Sequence, residues 1–234
     1  MTRWRELRAV AAGFAVYLAA GSAWADMVVV RSSSPDLKPG QVVASGASIT
    51  LPAASQVMLL TRDGRTVALK GPFSGPVAEP AAAGGAGDAK TVSVISRLLT
   101  ASNADTSALG VTRAVEFGSP YAMSTDGGTH CQVASEKPWF EREIGNPEEH
   151  VTITTASGAK ETVSWADGEG ALDWPAKLPF AAGTYSIRLD AQPKPVSLTV
   201  QLVPAEIKGA TPIAVWMAEH NCTAQAIRML SSLH

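Results

Sequence analysis

The spacing of apolar and polar residues changes character several times along the chain. Met27-Val28-Val29-Val30 is an unbroken apolar run with three β-branched valines, which favours extended backbone. Short apolar segments follow at Gln41-Val42-Val43, Ile49-Thr50-Leu51, Gln56-Val57-Met58-Leu59-Leu60 and Thr66-Val67-Ala68-Leu69, with Pro39-Gly40, Asp63-Gly64 and Gly71-Pro72 as turn signals. This predicts a small β module over residues 26–75, with a type I′ hairpin at Asp63-Gly64. Residues 76–90 are dominated by Ala, Gly and Pro and read as a linker. Asp88 then caps an expected short helix carrying Val92, Ile95, Leu98 and Leu99, and Asn103 to Gly110 is expected to loop away. Linker and helix together occupy 76–115.

From about 116 to 208 the alternation becomes regular. His150 to Thr154 and Thr162 to Trp165 flank Ala156-Ser157-Gly158-Ala159, a predicted hairpin. Gly183 to Leu189 and Val196 to Leu202 alternate strictly, so Tyr185, Ile187 and Leu189 share one face. About seven strands at this spacing predict a β-sandwich. Over 209–234, Thr211-Pro212 reads as a helix start, with Val215, Ala218, Cys222, Ala226, Met229 and Leu233 on one apolar face. The expected fold is mainly β: a small β module, an immunoglobulin-like β-sandwich, a short connector helix and a C-terminal helix packed on the sandwich.

The first 25 residues have another character. Arg3, Arg5 and Arg8 precede an apolar run from Ala9 to Gly21, and Ala23-Trp24-Ala25 fits a small-x-small cleavage site before Asp26. The run is shorter than the ~20 residues that span a bilayer, which predicts a signal peptide cleaved between Ala25 and Asp26. Removing Arg3, Arg5, Arg8 and Glu6 takes the net charge from −2 to −4. No basic field remains for nucleic acid, and no later apolar stretch is long enough for stable membrane insertion. The richness in Ala, Gly and Val suits a high-GC bacterium. The expected location is periplasmic or secreted.

Two resemblances sharpen the fold. Leu37, Gly40, Val43, Gly46 and Ile49 recur every three residues, and Val57 to Val67 forms strand, D-G turn and strand. Residues 27–76 thereby resemble the periplasmic FecR-type β domain, which implies a role in envelope sensing. Such sensors carry a cytoplasmic segment and a membrane helix ahead of this domain. Here a signal peptide stands there, so transmembrane signalling is not implied. The run Leu178 to Leu189 (L-P-x-x-x-G-T-Y-x-I-x-L) is similar to the penultimate strand of bacterial immunoglobulin-like modules, which implies fold and not activity.

Little in the chain carries chemistry. Cys131 and Cys222 are the two cysteines, and in an exported chain they are expected to form one disulfide. The alternative is a zinc set with His130 and His220. However, neighbours on a strand point to opposite faces, and His220 lies about 200° around a helix from Cys222. Ser157 to Lys160 spells the S-x-x-K motif of penicillin-recognising enzymes, but Gly158 makes it a turn. Asp167, Glu169 and Asp173 lie near Trp165 and Trp174, a grouping that could describe a glycan-hydrolysing cleft or a solvated loop beside core rings. Trp139, Trp165 and Trp174 are candidate contact aromatics. No catalytic, cofactor-binding or metal-binding residue is expected, and no cofactor. The expected role is a non-catalytic envelope accessory protein that binds another protein or a cell-wall polymer. The alternatives are an envelope sensing component and a hydrolase acting on envelope glycans.

Overall fold

The computed structural model describes residues 26–78, 89–108 and 119–233. The expected signal peptide, including Ala25 of its cleavage site, and most of the Ala/Gly/Pro linker lie outside these residues. Six strands form the first region: β1 Asp26–Ser32, β2 Val42–Ala44, β3 Ser48–Leu51, β4 Gln56–Leu60, β5 Thr66–Lys70 and β6 Phe73–Pro76. They make an antiparallel sheet in the order β2-β1-β4-β5 and a smaller β3-β6 pair. The chain leaves this region later than the composition suggests. Pro76 ends β6, and Val77 is buried and exchanges backbone hydrogen bonds with Gly46 and Ala47.

The run Met27 to Val30 is apolar throughout because β1 is buried on both faces. Met27 and Val29 pack with Val57, Leu59 and Leu51 against the β3-β6 side. Val28 and Val30 face the opposite way, with Leu60, into a second core. That second core is built largely by helices. Helix α1 (Ala89–Ala108) is longer than its apolar spacing suggested, for the backbone stays helical through Asn103 to Ala108 where a loop was expected. It contributes Val92, Ile95 and Leu99 to the core. It also lies close on the first region: Ser96 donates to the Gly40 carbonyl at 2.6 Å, and a Cβ on Gly40 would sit 2.6 Å from Thr100 Oγ1. Gly40 is therefore required by proximity as well as by its φ of 87°.

The second β region has seven strands: β7 Gly128–Val133, β8 Trp139–Glu141, β9 Glu149–Thr155, β10 Lys160–Trp165, β11 Ala171–Asp173, β12 Gly183–Leu189 and β13 Val196–Val203. Five form one sheet in the order β10-β9-β12-β13-β7, antiparallel except for the parallel β13–β7 edge. The β8-β11 pair forms the opposing layer. Between the layers lie Phe140, Val151, Ile153, Trp165, Trp174, Tyr185, Ile187 and Leu198. The Tyr185 hydroxyl donates to the Ala181 carbonyl at 2.7 Å and accepts from its N–H at 3.0 Å. This is the tyrosine corner of an immunoglobulin-like sandwich, on its penultimate strand.

Both β regions use one hairpin turn. In β4–β5, Thr61 N–H donates to Arg65 O and Gly64 N–H to Thr61 O; in β9–β10, Thr155 N–H donates to Ala159 O and Gly158 N–H to Thr155 O. These are three-residue loops with a bulge glycine. Asp63 is not left-handed and only Gly64 is, at φ 83°, so the type I′ turn expected at Asp63-Gly64 is not formed. The Thr61 hydroxyl donates to the Asp63 carboxylate, which keeps Asp63 in a right-handed turn position.

The C-terminal segment is two helices, not one: α2 (Ala210–Glu219) and α3 (Thr223–Ser231). Asn221 adopts φ 64°, and Cys222 N–H reaches back to Met217 O at 2.8 Å. This is a Schellman stop with Asn at the left-handed position. The break rotates α2, so it buries Ile213, Ala214 and Met217, with Val215 and Ala218 only half-buried. Gly209, not Thr211, caps α2. Thr211 is buried, and its hydroxyl donates to Gly64 O at 3.2 Å, tying the helix to the β4–β5 turn. The helices thus pack on both β regions. Their core also holds Val28, Val30 and Leu60 from the first region, and Cys131 and Val203 from the second.

Candidate functional site

Cys131 and Cys222 form a disulfide with Cα atoms 5.9 Å apart. Cys131 lies on β7, an edge strand, and Cys222 immediately precedes α3. Beside the bridge, the buried Gln225 acts on β7 as a neighbouring strand would. Its Oε1 accepts the Cys131 N–H at 2.7 Å, and its Nε2 donates to Cys131 O and Pro120 O, both at 3.0 Å. At Cys131 this edge is closed by one amide side chain and one covalent bond. Nothing in the sequence before Gln225 signals the clamp, because a glutamine on an apolar helix face reads simply as polar.

The zinc alternative loses its ligands here, since both sulfurs are spent on each other. His220 stacks on Trp216 with ring centroids 3.8 Å apart, and its Nδ1 lies 2.7 Å from Trp216 O. His130 is buried on the other face of β7, with Nε2 3.2 Å from Gly127 O. Burial holds its pKa below the ordinary value, and the Arg228 guanidinium adds to that.

The aromatic candidates divide. Trp139 is half-buried. Trp165 is 0% exposed, and the Arg142 guanidinium lies 4.5 Å over its ring. Arg142 also donates to the carbonyls of Ala166, Glu169 and Pro147, so it organises the loops at that end of the sandwich. Trp174 is buried against Phe140, Phe180 and Tyr185, and its indole N–H donates to Leu178 O at 2.8 Å. Trp165 and Trp174 are therefore core residues and not contact aromatics. The reason is their place at strand ends on the inner face. With those rings inside, the carboxylate–aromatic cleft considered for glycan hydrolysis is not assembled. Asp167 and Glu169 are exposed on the β10–β11 loop, and Asp173 is exposed and ion-paired with Lys137. A shallow, open depression of about 440 Å³ runs along Glu169 to Asp173. The S-x-x-K tetrapeptide is the β9–β10 turn, where Ser157 Oγ lies 2.9 Å from Thr155 Oγ1.

The outer face of the five-stranded sheet is what the sequence motifs did not single out. Over β10, β9 and β12 the residues opposite the sandwich core project outward, whereas at the other edge Cys131 and Val203 on this face are covered by the helices. Register places these residues in rows across the strands. Lys160, Thr154, Ser186 and Ser197 lie side by side, and Thr162, Thr152 and Arg188 form the next row. Thr152 Oγ1 and Thr162 Oγ1 are 2.9 Å apart. At one end, Ser164 donates to Glu148 at 2.6 Å, and His150 Nδ1 lies 3.0 Å from Asp190. Towards the other end, an open depression of about 290 Å³ is lined by Thr154, Thr184, Ser186 and Ser197, among others. A period-two array of Thr and Ser was legible in the sequence, in Thr152-x-Thr154, Thr162-x-Ser164, Thr184-x-Ser186 and Ser197-x-Thr199. Their alignment into rows depends on register.

Among the described residues, the other edge of this sheet, β10, has no strand beyond it. Hydrogen-bonded and non-hydrogen-bonded pairs alternate from the turn, so Lys160, Thr162 and Ser164 direct their backbone N–H and C=O away from β9. Among the described residues, no helix is long and apolar enough to cross a membrane. Compared with known proteins, the chain matches no family model and no curated protein sequence.

Proposed function

We propose that this chain is an exported, non-catalytic envelope protein that binds another protein or a cell-wall polymer through the open side of its immunoglobulin-like module. The observation that carries the reading is the unequal protection of the two edges of one sheet. Gln225 and the disulfide close β7 at Cys131, whereas among the described residues nothing pairs with the β10 edge and the adjoining outer face over β10, β9 and β12 is open. An open strand edge is a template for pairing, and proteins generally blunt such edges unless they use them. The disulfide supports an oxidising compartment, as does the signal-like N-terminal sequence.

The test is cosedimentation of the purified protein with isolated envelope material, both peptidoglycan-containing and membrane fractions. The protein should be retained. Retention should fall when Thr162→Pro removes an outward N–H from β10, a change that an edge strand tolerates. Absence of retention on every fraction would overturn the reading.

A further inference from the structure

Resting on that binding reading, we infer that the outer face of the five-stranded sheet is a binding site for an anionic, carboxylate-bearing polysaccharide. Three features of the face converge. First, it is hydroxylated. Thr154, Ser186 and Ser197 stand in one row, Thr152 and Thr162 in the next, and Thr184 borders the first. Hydroxyl groups both donate and accept, so they match the hydroxyls of a sugar chain without selecting one orientation. Second, the depression of about 290 Å³ lies beside the same hydroxyls, giving a pyranose ring somewhere to settle. Third, the charges within the two rows have one sign. Lys160 and Arg188 are exposed cations, and among the described residues neither has an ion-pair partner. The row directly beyond carries acidic groups, and these are engaged: Glu148 accepts from Ser164, and Asp190 lies 3.0 Å from His150 Nδ1.

The spacing of the cations favours a chain with distributed charge over a single phosphate. Lys160 and Arg188 are two strands and one row apart, about 12 Å at ordinary sheet spacing. A compact dianion would need its cations together. A polymer lying across the strands can place successive carboxylates near each cation while its hydroxyls meet the Thr and Ser rows. Large aromatic platforms are not part of this surface, since Trp165 and Trp174 lie in the core. Recognition here rests on hydrogen bonds and charge, so it should be salt-sensitive.

Affinity electrophoresis with polygalacturonate as the probe, and dextran as the neutral control, tests the inference. Polygalacturonate should retard the protein and dextran should not. Raising the ionic strength from about 50 to 300 mM should weaken the interaction several-fold. The double variant Lys160→Glu/Arg188→Glu alters exposed side chains only, and should weaken binding at least tenfold with an unchanged circular dichroism spectrum. Thr154→Val, a subtler change, should weaken it by a smaller factor. Absence of retardation, or retardation untouched by the double variant, overturns the inference. If envelope retention survives the double variant but is lost with Thr162→Pro, the partner is a protein strand on the β10 edge. That outcome overturns the polysaccharide site and leaves the binding reading standing.

Discussion

The sheets of the two β regions are built from similar strands and even the same bulged hairpin turn, yet they are buried differently. The first sheet is covered on both faces: Met27 and Val29 enter one core while Val28 and Val30 enter another. The second is covered on one face over most of its width, so Val151 and Ile153 are buried while Thr152 and Thr154 stay at the surface. Hence a continuous apolar run marks a strand squeezed between layers, and strict alternation marks one with a side to spare. The spare side is where binding is proposed. A small first region gains from the arrangement, because its own β3-β6 layer covers only one face and the helices supply the rest.

The difference can be broken most severely at the link between the regions. Cys131 and Cys222 are 91 residues apart in sequence. Removing the bridge with Cys131→Ser/Cys222→Ser releases a loop worth about 4.6 kcal/mol in chain-entropy terms. Urea denaturation of the variant should show that loss. An unchanged midpoint with an unchanged slope would mean that the helices are held without the bridge.

Single side-chain deletions measure the burial of each face directly. Val28→Ala and Val29→Ala should each cost about 2.5 kcal/mol, because neighbouring residues of β1 are both in cores. In β9, Val151→Ala should cost a similar amount and Thr152→Ala close to nothing. A low cost for Val28→Ala would show that the helical layer contributes little to the first sheet.

At the closed edge, Gln225→Leu keeps much of the buried volume but strips the Cys131 N–H and C=O of their partners. A loss of about 1.5 kcal/mol is expected, measurable by the same denaturation. Hydrogen exchange should speed up at the Cys131 amide and not on β9.

The smallest effect is in pH dependence, which also separates the regions. His130 in the second region has a folded-state pKa held below the ordinary 6.5, chiefly by burial. The unfolded chain therefore binds that proton first, so stability is complete above pH 6.5 and declines as pH falls through the folded value. Asp63 in the first region is lowered from 3.8, chiefly by the Thr61 hydroxyl, with Arg65 adding to it. Its contribution is present above pH 3.8 and disappears in stronger acid. Melting temperature followed from pH 7.5 to 5.0 should fall for the native protein and fall less for His130→Gln. Asp63→Asn should leave that window alone.

Much of the fold was legible in the residues, since local signals and final structure agree wherever burial is one-sided. Gly183 to Leu189 reads as a half-buried strand and is one, down to Tyr185 facing inward. The failures share a cause. The stop at Asn221 interrupts a run whose apolar spacing continues across it, so periodicity predicted one helix and a rotated buried face. Helix α1 outlasts its apolar residues because Asn103 to Ala108 is polar without containing a helix breaker. Trp165 and Trp174 look like contact residues only until the inner face of their strands is known.

By itself the sequence determined the mainly β architecture, the inward set Tyr185, Ile187 and Leu189 on β12, and the pairing of its only two cysteines. These follow from period-two alternation, turn residues and the number of thiols, all of which act over short range or by elimination. Tertiary structure alone decided that the helices pack on both β regions, that Gln225 stands in for a strand at Cys131, and that hydroxyls from four strands line up beside two cations. Each depends on register and on the docking of distant segments. No local preference encodes these contacts, because the groups that meet are brought together by burying apolar surface elsewhere.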